Sequence, residues 1–381
     1  MRTTMTSLLD TEEEVMLRDA ARGFLDSAAP VSALRTNRDA GRPHDPGLWR
    51  EMAQMGWAGV LIPEPLGGAD MGHRAAGILA QEMGVTLTAS PFLSSAVIAA
   101  TALRSAASDR ANDALSHIAA GDETYALAID EAAKHAPEQC ALRAEPAGNG
   151  YRLSGSKTFV ADGASATRVL VLARTGGIPG EAAGLSLFDI DTDRAGLTRA
   201  RLDTVDARDH ARLEFNGVEA TGDDLLGETD NAMHLLRPAL DAGQAALAAE
   251  LTGLATGVTD MTLGYLKERR QFDRTIGSFQ ALQHRAAHLW AEIEVTASAI
   301  ANAGRVLDET PDDATLAVSL AKARATHTAN LAVREGVQMH GGIGMTDDHD
   351  AGFYMKRARV GAEWLGDYGY HAARVAAARG F

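Results

Sequence analysis

A single cysteine, Cys140, among 381 residues excludes an intramolecular disulfide and fits a reducing compartment. Aromatics are scarce, at 5% of residues, and no apolar run approaches the roughly 20 residues that a membrane-spanning helix needs. Positive charge is short as well. The 36 Lys and Arg stand against 51 Asp and Glu, a net charge of −15, which argues against nucleic acid or an anionic membrane surface as a partner. The opening MRTTMTSLLDTEEE turns acidic at once and lacks the basic-then-apolar order of a secretory signal. There is no P-loop, no hydrolase elbow and no zinc-ligand spacing. These absences lead to the expectation of a soluble, cytoplasmic protein.

What remains favours packed helices. The chain is 46% hydrophobic and rich in alanine, and its length suffices for two or three cooperating domains. Near the start, Leu17, Ala21, Phe24, Leu25 and Ala28 recur at three- and four-residue steps, one buried helical face closed by Pro30. LWREMAQMGWAGVLIPEPLGGADMG (Leu48–Gly72) reads as a short helix and a Pro- and Gly-broken loop, with a further helix from His73. From Thr124 to Gly227 the texture changes. YRLSGSKTFVADG, RVLVLAR, LSLFDI and ARLEFNGVEA are short runs divided by Gly, Asp and Asn, which is strand-and-turn sequence. Helical stripes then return: Leu247, Leu251, Leu254, Val258, Met261 and Tyr265; then Leu289, Ile293, Ala297, Ile300, Gly304 and Leu307; then Leu316, Leu320, Ala323 and Leu331. The expected fold is α+β, with an N-terminal helical domain over residues 1–121, a middle β domain over 122–227 and a C-terminal helical bundle over 228–381.

Two strings suit an anionic dinucleotide, ERRQFDRTIGSFQ (Glu268–Gln280) and VQMHGGIG (Val337–Gly344). Arg269 supplies a fixed cation with a fork of donors. Gln271, Gln280 and Gln338 both donate and accept, and Gly341 and Gly342 let the backbone approach a bulky ligand. Taken singly, each string has an ordinary reading, a solvated helix charge or a helix stop. Together, joined by helical sequence, they resemble the C-terminal half of an acyl-CoA dehydrogenase. An independent resemblance lies in the loop of Gly56, Trp57, Gly59, Pro63, Glu64, Gly67 and Gly68, which matches a family loop between two helices. The order of helical, β and helical segments resembles that family over nearly the whole chain. The resemblance implies that Arg269, Gln271, Phe272, Gln280, Gln338, Gly341 and Gly342 grip the ADP half of an FAD shared with a neighbouring subunit. It implies an acyl-CoA substrate and an electron-transfer flavoprotein or another electron acceptor. Asp241 aligns with an Asp that contacts CoA in some members; an acid placed at a helix start to favour the dipole is the alternative.

The family needs a carboxylate that takes a proton from the carbon beside the thioester while a hydride passes to the flavin. That carboxylate usually follows the second glycine string, in a position that Leu365 occupies here between Trp364 and Gly366; Glu363 reaches it only by a two-residue slip. Other members carry it on the preceding long helix, where Gly243 and Gln244 stand. Glu250 is the remaining candidate, interleaved with Leu247, Leu251 and Leu254 and seven residues from Gly243, so on the same side of the helix. An unpaired carboxylate there would hold its proton more tightly and suit a base near neutrality. The competing reading makes it an edge residue or the structural partner of a buried Arg or His. Some paired members acting on steroid side-chain CoA esters resemble this pattern.

The face that holds the flavin ring in the family is altered. Ile129, Asp130 and Glu131 replace its T-E-P, His135 and Ala136 replace its S-D, and Ala161 replaces a Thr, while Phe159 keeps an aromatic as a cofactor contact. DDHD (Asp347–Asp350) reads as a polar loop and not a metal site. With the ADP grip intact and the ring cradle changed, the resemblance implies a subunit working with a related, dissimilar partner in a heterotetramer, on a bulky or steroid side-chain acyl-CoA. Two alternatives stay open, a self-sufficient homotetramer with Glu250 as base and a non-catalytic subunit that only completes the partner's FAD site.

Overall fold

The computed structural model describes residues 10–381; the first nine residues of the expected helical segment 1–121 lie outside the described residues. The chain forms two compact units. One gathers the chain up to Thr36, His73–Thr88 and Gln244–Phe381, and the other Asn37–Gly72 and Ala89–Gly243.

The first helices are α1 (Glu12–Ala28), α2 (Val31–Asp39), α3 (Pro46–Gln54) and α4 (Gly72–Thr86). A capping box starts α1: the Glu14 N–H donates to Thr11 Oγ1 at 3.2 Å and the Thr11 N–H to the Glu14 carboxylate at 2.9 Å. Ala21 and Leu25 are buried on α1, whereas Ala28 is exposed in its last turn. A π-helical stretch, Phe92–Ala99, leads into α5 (Ala100–Ala106), followed by α6 (Asp109–Ala120).

Eight strands then make one mixed sheet: β1 (Tyr125–Ala128), β2 (Arg143–Ala147), β3 (Gly150–Ala161), β4 (Arg168–Arg174), β5 (Leu185–Asp191), β6 (Leu197–Arg201), β7 (His210–Ala220) and β8 (Leu225–Leu226). The order is β6-β7-β3-β2-β4-β5-β8, with β1 parallel to β4 and β3–β7, β6–β7 and β4–β5 antiparallel. The register of β3 on β7 slips between Lys157 and Val160. Phe159 sits in that bulge at φ +51 and is 50% exposed.

The C-terminal bundle contains α7 (Ala232–Glu268), a hairpin of β9 (Arg270–Gln271) and β10 (Arg274–Thr275), α8 (Gln280–Glu309), α9 (Ala314–His340), α10 (Ala351–Glu363) and α11 (Tyr368–Ala378). Leu247, Leu251, Leu254 and Val258 are buried along α7 as their spacing requires. Glycine lets α4 and α7 touch backbone to backbone. A Cβ on Gly84 would overlap the Glu250 carbonyl oxygen, and one on Gly253 would overlap that of Gln81. The stripe expected on α9 is displaced. Leu320 is 47% exposed, and Val318, Ala321, Lys322, Ala325, Ala329 and Gly336 face inward instead. Helix α9 packs on α8, α10 and α11 at once, so small side chains are what its crowded faces admit.

Candidate functional site

In the bundle unit, α7 ends where the Arg269 N–H donates to the Tyr265 carbonyl at 2.8 Å, and the hairpin follows directly. Gln271 pairs with Arg274, leaving Phe272 (φ +52) and Asp273 (φ +62) as the two left-handed residues of a tight turn. A left-handed phenylalanine costs on the order of 1–2 kcal/mol. The strain is held by the ladder and by the Ile276 N–H bonding the Arg269 carbonyl at 2.8 Å. Its result is an aromatic ring 85% exposed at the tip, edge-on to Phe279, which Arg274 covers at 4.0 Å. Arg269, Gln271, Gln280, Gln338, Gly341 and Gly342 are all exposed too. Gln271 bonds only the Arg270 carbonyl, at 2.9 Å, and among the described residues the Arg269 guanidinium has neither a hydrogen bond nor an ion pair. Gly341 adopts φ +66 at the end of α9, and open space surrounds the points where Cβ atoms would stand on it and on Gly342. A free cation, amide side chains, an aromatic tip and a bare glycine turn are the donor set that the ADP half of a dinucleotide needs.

The interior of the same unit has the opposite character. Glu250 is 4% exposed, and Arg357 of α10 grips it through Nε–Oε1 at 2.8 Å and Nη2–Oε2 at 3.0 Å. Of the two readings left open, the partner of a buried Arg is the one this geometry matches, because the opposite charge of a neighbouring helix meets Glu250 in a two-bond fork. The Gln244 amide, fully buried, donates to the Leu365 carbonyl at 3.1 Å and accepts from Arg374 at 3.2 Å. His371 Nε2 also lies 3.1 Å from the Leu365 carbonyl, and Leu365 itself is left-handed and 2% exposed. Beneath it the fully buried Lys322 ammonium donates to the carbonyls of Gly361 at 3.0 Å and Gly366 at 3.2 Å and to Thr326 Oγ1 at 3.3 Å. Burial pushes this lysine down to about 7, against the pull of Asp367 and Glu363. Glu363 forms an ion pair with Arg359 at 3.2 Å. Gln244, which follows Gly243, is thus joined by a hydrogen bond to Leu365, and neither Gly243 nor Leu365, the two positions where the resemblance places a base, carries a carboxylate.

In the sheet unit, Asp130 accepts from His135 Nδ1 and from the Ala136 N–H, each at 3.0 Å. Glu131 accepts from Lys157 at 2.8 Å and from the Ala141 and Leu142 N–H groups at 2.9 Å. Burial works against the Glu131 charge, but Lys157 and the two amides outweigh it and hold the carboxyl below its usual range. These side chains serve the loop that carries them. Ala161 is buried, and Phe159 projects outward from its bulge. Asp241 lies buried in the third turn of α7, which begins at Ala232, so the reading as a helix-start acid does not hold. Asp347 and Asp350 bind Arg35 at 3.3 and 3.0 Å. A cleft lined by Arg18, His73, Arg74 and Gln81 offers no free cation, since Asp10, Glu14 and Glu82 occupy both arginines.

Sequence reasoning missed Arg357, Lys322 and the ring of His340. Only His340 left a signal, standing immediately before the glycine pair.

Three family models match the chain: the acyl-CoA dehydrogenase N-terminal domain over residues 11–122, the middle domain over 132–218 and the C-terminal domain over 233–379. "Acyl-CoA dehydrogenase IpdE2" of Mycobacterium tuberculosis is 32% identical over 356 residues, covering 93% of each chain. Among solved structures, the ChsE4-ChsE5 complex from Mycobacterium tuberculosis contains a chain that aligns with a TM-score of 0.87 at 27% identity, covering 96% of this chain and 97% of that one. A variant of the Tcur3481-Tcur3483 steroid ACAD aligns with a TM-score of 0.85 at 31% identity, with the same coverage. No described helix is long and apolar enough to cross a membrane.

Proposed function

The chain belongs to the acyl-CoA dehydrogenase family of FAD-dependent oxidoreductases, and on that footing we propose that it is one subunit of a hetero-oligomeric, cytoplasmic acyl-CoA dehydrogenase. In this reading Arg269, Gln271, Phe272, Gln280, Gln338, Gly341 and Gly342 hold the ADP half of an FAD whose ring lies against the partner subunit. Its domains in this reading run over residues 1–121, 122–227 and 228–381, supported by family-model matches over 11–122, 132–218 and 233–379. The substrate is a bulky, steroid side-chain acyl-CoA, with Asp241 as this chain's contact to CoA and Phe159 as a further cofactor contact. Support for the substrate class comes from the resemblance to the steroid ACAD and IpdE2 chains. FAD held there would supply the hydride acceptor of the reaction, with an electron-transfer flavoprotein or another acceptor as the electron partner. The proton goes to a carboxylate of the partner.

The observation that carries this reading is that Gly243 and Leu365 stand where the resemblance puts a base, with Gln244, the residue after Gly243, hydrogen-bonded to the Leu365 carbonyl inside the protein. Arg269 is free for a ligand, whereas no base position here is free for a proton. Glu250 is the alternative base, since it is a buried carboxylate on α7. Two measurements test the reading. Purified alone, the chain should be colourless, and co-purified with its partner it should carry fewer flavins than subunits; one FAD per chain when expressed alone overturns it. In the assembly, Glu250→Gln should leave turnover within about tenfold of native, whereas a loss of about 10²–10⁴ makes Glu250 the base.

A further inference from the structure

Three rings lie in tilted contact beside the glycine turn, His340 against Tyr265 at 34° and against His349 at 51°. His340, the last residue of α9, is 3% exposed, and its Nδ1 lies 2.7 Å from the Gly336 carbonyl, so Nδ1 carries the proton. Its Nε2 is buried with no hydrogen-bond partner. The ring centroid stands 4.6 Å from that of Tyr265 on α7 and 4.4 Å from that of His349, just ahead of α10. His349 is fixed in turn, its Nδ1 accepting the Ala351 N–H at 3.2 Å. The cluster therefore clasps both ends of the segment 341–348. Through Tyr265, whose carbonyl accepts the Arg269 N–H, it also joins that segment to the turn carrying the free cation.

We propose that His340 is a positioning residue for the dinucleotide surface: neutral and packed against both Tyr265 and His349, it sets Gly341 and Gly342 in place relative to Arg269, and its protonation releases the turn. The inference rests on reading that surface as the FAD site. A ring 3% exposed with an unpartnered Nε2 accommodates a neutral imidazole at lower cost than a charged one. Burial is the main force against the cation and holds the His340 ring below its ordinary value; the Gly336 carbonyl pulls the other way, and a charged His349 would add repulsion. The nearby carboxylates give no relief, because Asp347 faces Arg35 and Lys356 and Asp350 faces Arg35. The ordered turn thus binds fewer protons than the released one, and its order is complete above the ordinary histidine value near 6.5 and lost progressively below it.

The test measures FAD affinity of the purified assembly at pH 7.5 and 5.5, together with histidine NMR of the cofactor-free chain. The native assembly should lose about fivefold or more in affinity at the lower pH. His340→Phe keeps a flat ring without a titrating nitrogen, so its affinity should stay within about threefold of native at pH 7.5 and change little at pH 5.5. His340→Ala empties the clasp and should weaken FAD about tenfold or more at both values. In the NMR spectrum, the His340 ring should remain the Nδ1–H tautomer from pH 8 to 6. The inference is overturned if the Phe variant keeps the native pH loss, if the Ala variant binds FAD as the native protein does, or if His340 titrates like a solvent-exposed ring. Native FAD affinity in Arg269→Ala overturns the assignment of the surface itself, whereas loss in that variant with native behaviour in His340→Ala overturns only the role of His340.

Discussion

Arg269 and Arg357 are guanidinium groups of the same helical unit, placed under opposite conditions. Arg269 stands exposed at the end of α7 with no partner among the described residues, beside a strained aromatic tip and a bare glycine turn. Arg357 is 3% exposed and clasps Glu250 through two bonds, in the same interior where Gln244, Lys322 and His371 satisfy the carbonyls around Leu365 and Arg374 donates to the Gln244 side chain. A binding surface leaves polar groups unsatisfied toward solvent, where water occupies them at little cost until a ligand arrives. A core does so only at a cost, about 1–3 kcal/mol for each buried group left without a partner. The same side chain therefore signals a ligand in one place and architecture in the other, and only burial and partners separate the two.

The comparison breaks most sharply at Arg357. Arg357→Met leaves Glu250 buried with its charge uncompensated and should destabilise the chain by about 3–5 kcal/mol, read from urea unfolding. The double variant with Glu250→Gln should recover part of that loss, and a single variant as stable as the native chain would place Glu250 in a functional and not a structural role. Arg269→Ala should leave unfolding almost untouched while weakening FAD by about 1.5–3 kcal/mol in a flavin titration of the assembly. Lys322 sharpens the view of the interior. Its unfolded value is 10.5 and its buried value about 7, so the folded chain binds fewer protons between them and native stability rises with pH across that window. Native stability relative to Lys322→Met should rise by up to about 1.4 kcal/mol per pH unit from 7 upward; a difference independent of pH would show a lysine that stays charged. Smallest is the exchange at the hairpin tip. Phe272→Gly relieves the left-handed strain and should stabilise the chain by about 0.5–1 kcal/mol in thermal unfolding while lowering its hold on FAD. A tip that loses stability on this change is not strained.

The strands at Gly150–Ala161, Arg168–Arg174, Leu185–Asp191 and His210–Ala220, and the long helix through Leu247 and Val258, were legible because period-two and three/four-residue patterns follow from backbone geometry alone. The two ligand strings were legible for a related reason: glycines, glutamines and arginine near helix ends are local chemistry, readable without knowing what lies opposite. The inward face of α9 was not, because Leu320 turns outward and Lys322 inward only when three neighbouring helices are in place. Glu250 marks the limit most clearly. Its position among leucines determined that it would be buried, but whether it would stand alone or be paired depended on Arg357, more than a hundred residues later in the chain, and that distance vanishes only in the tertiary structure. Sequence fixes which face of an element avoids water; packing decides which charge meets which, because electrostatic partnership depends on separation in space and not along the chain.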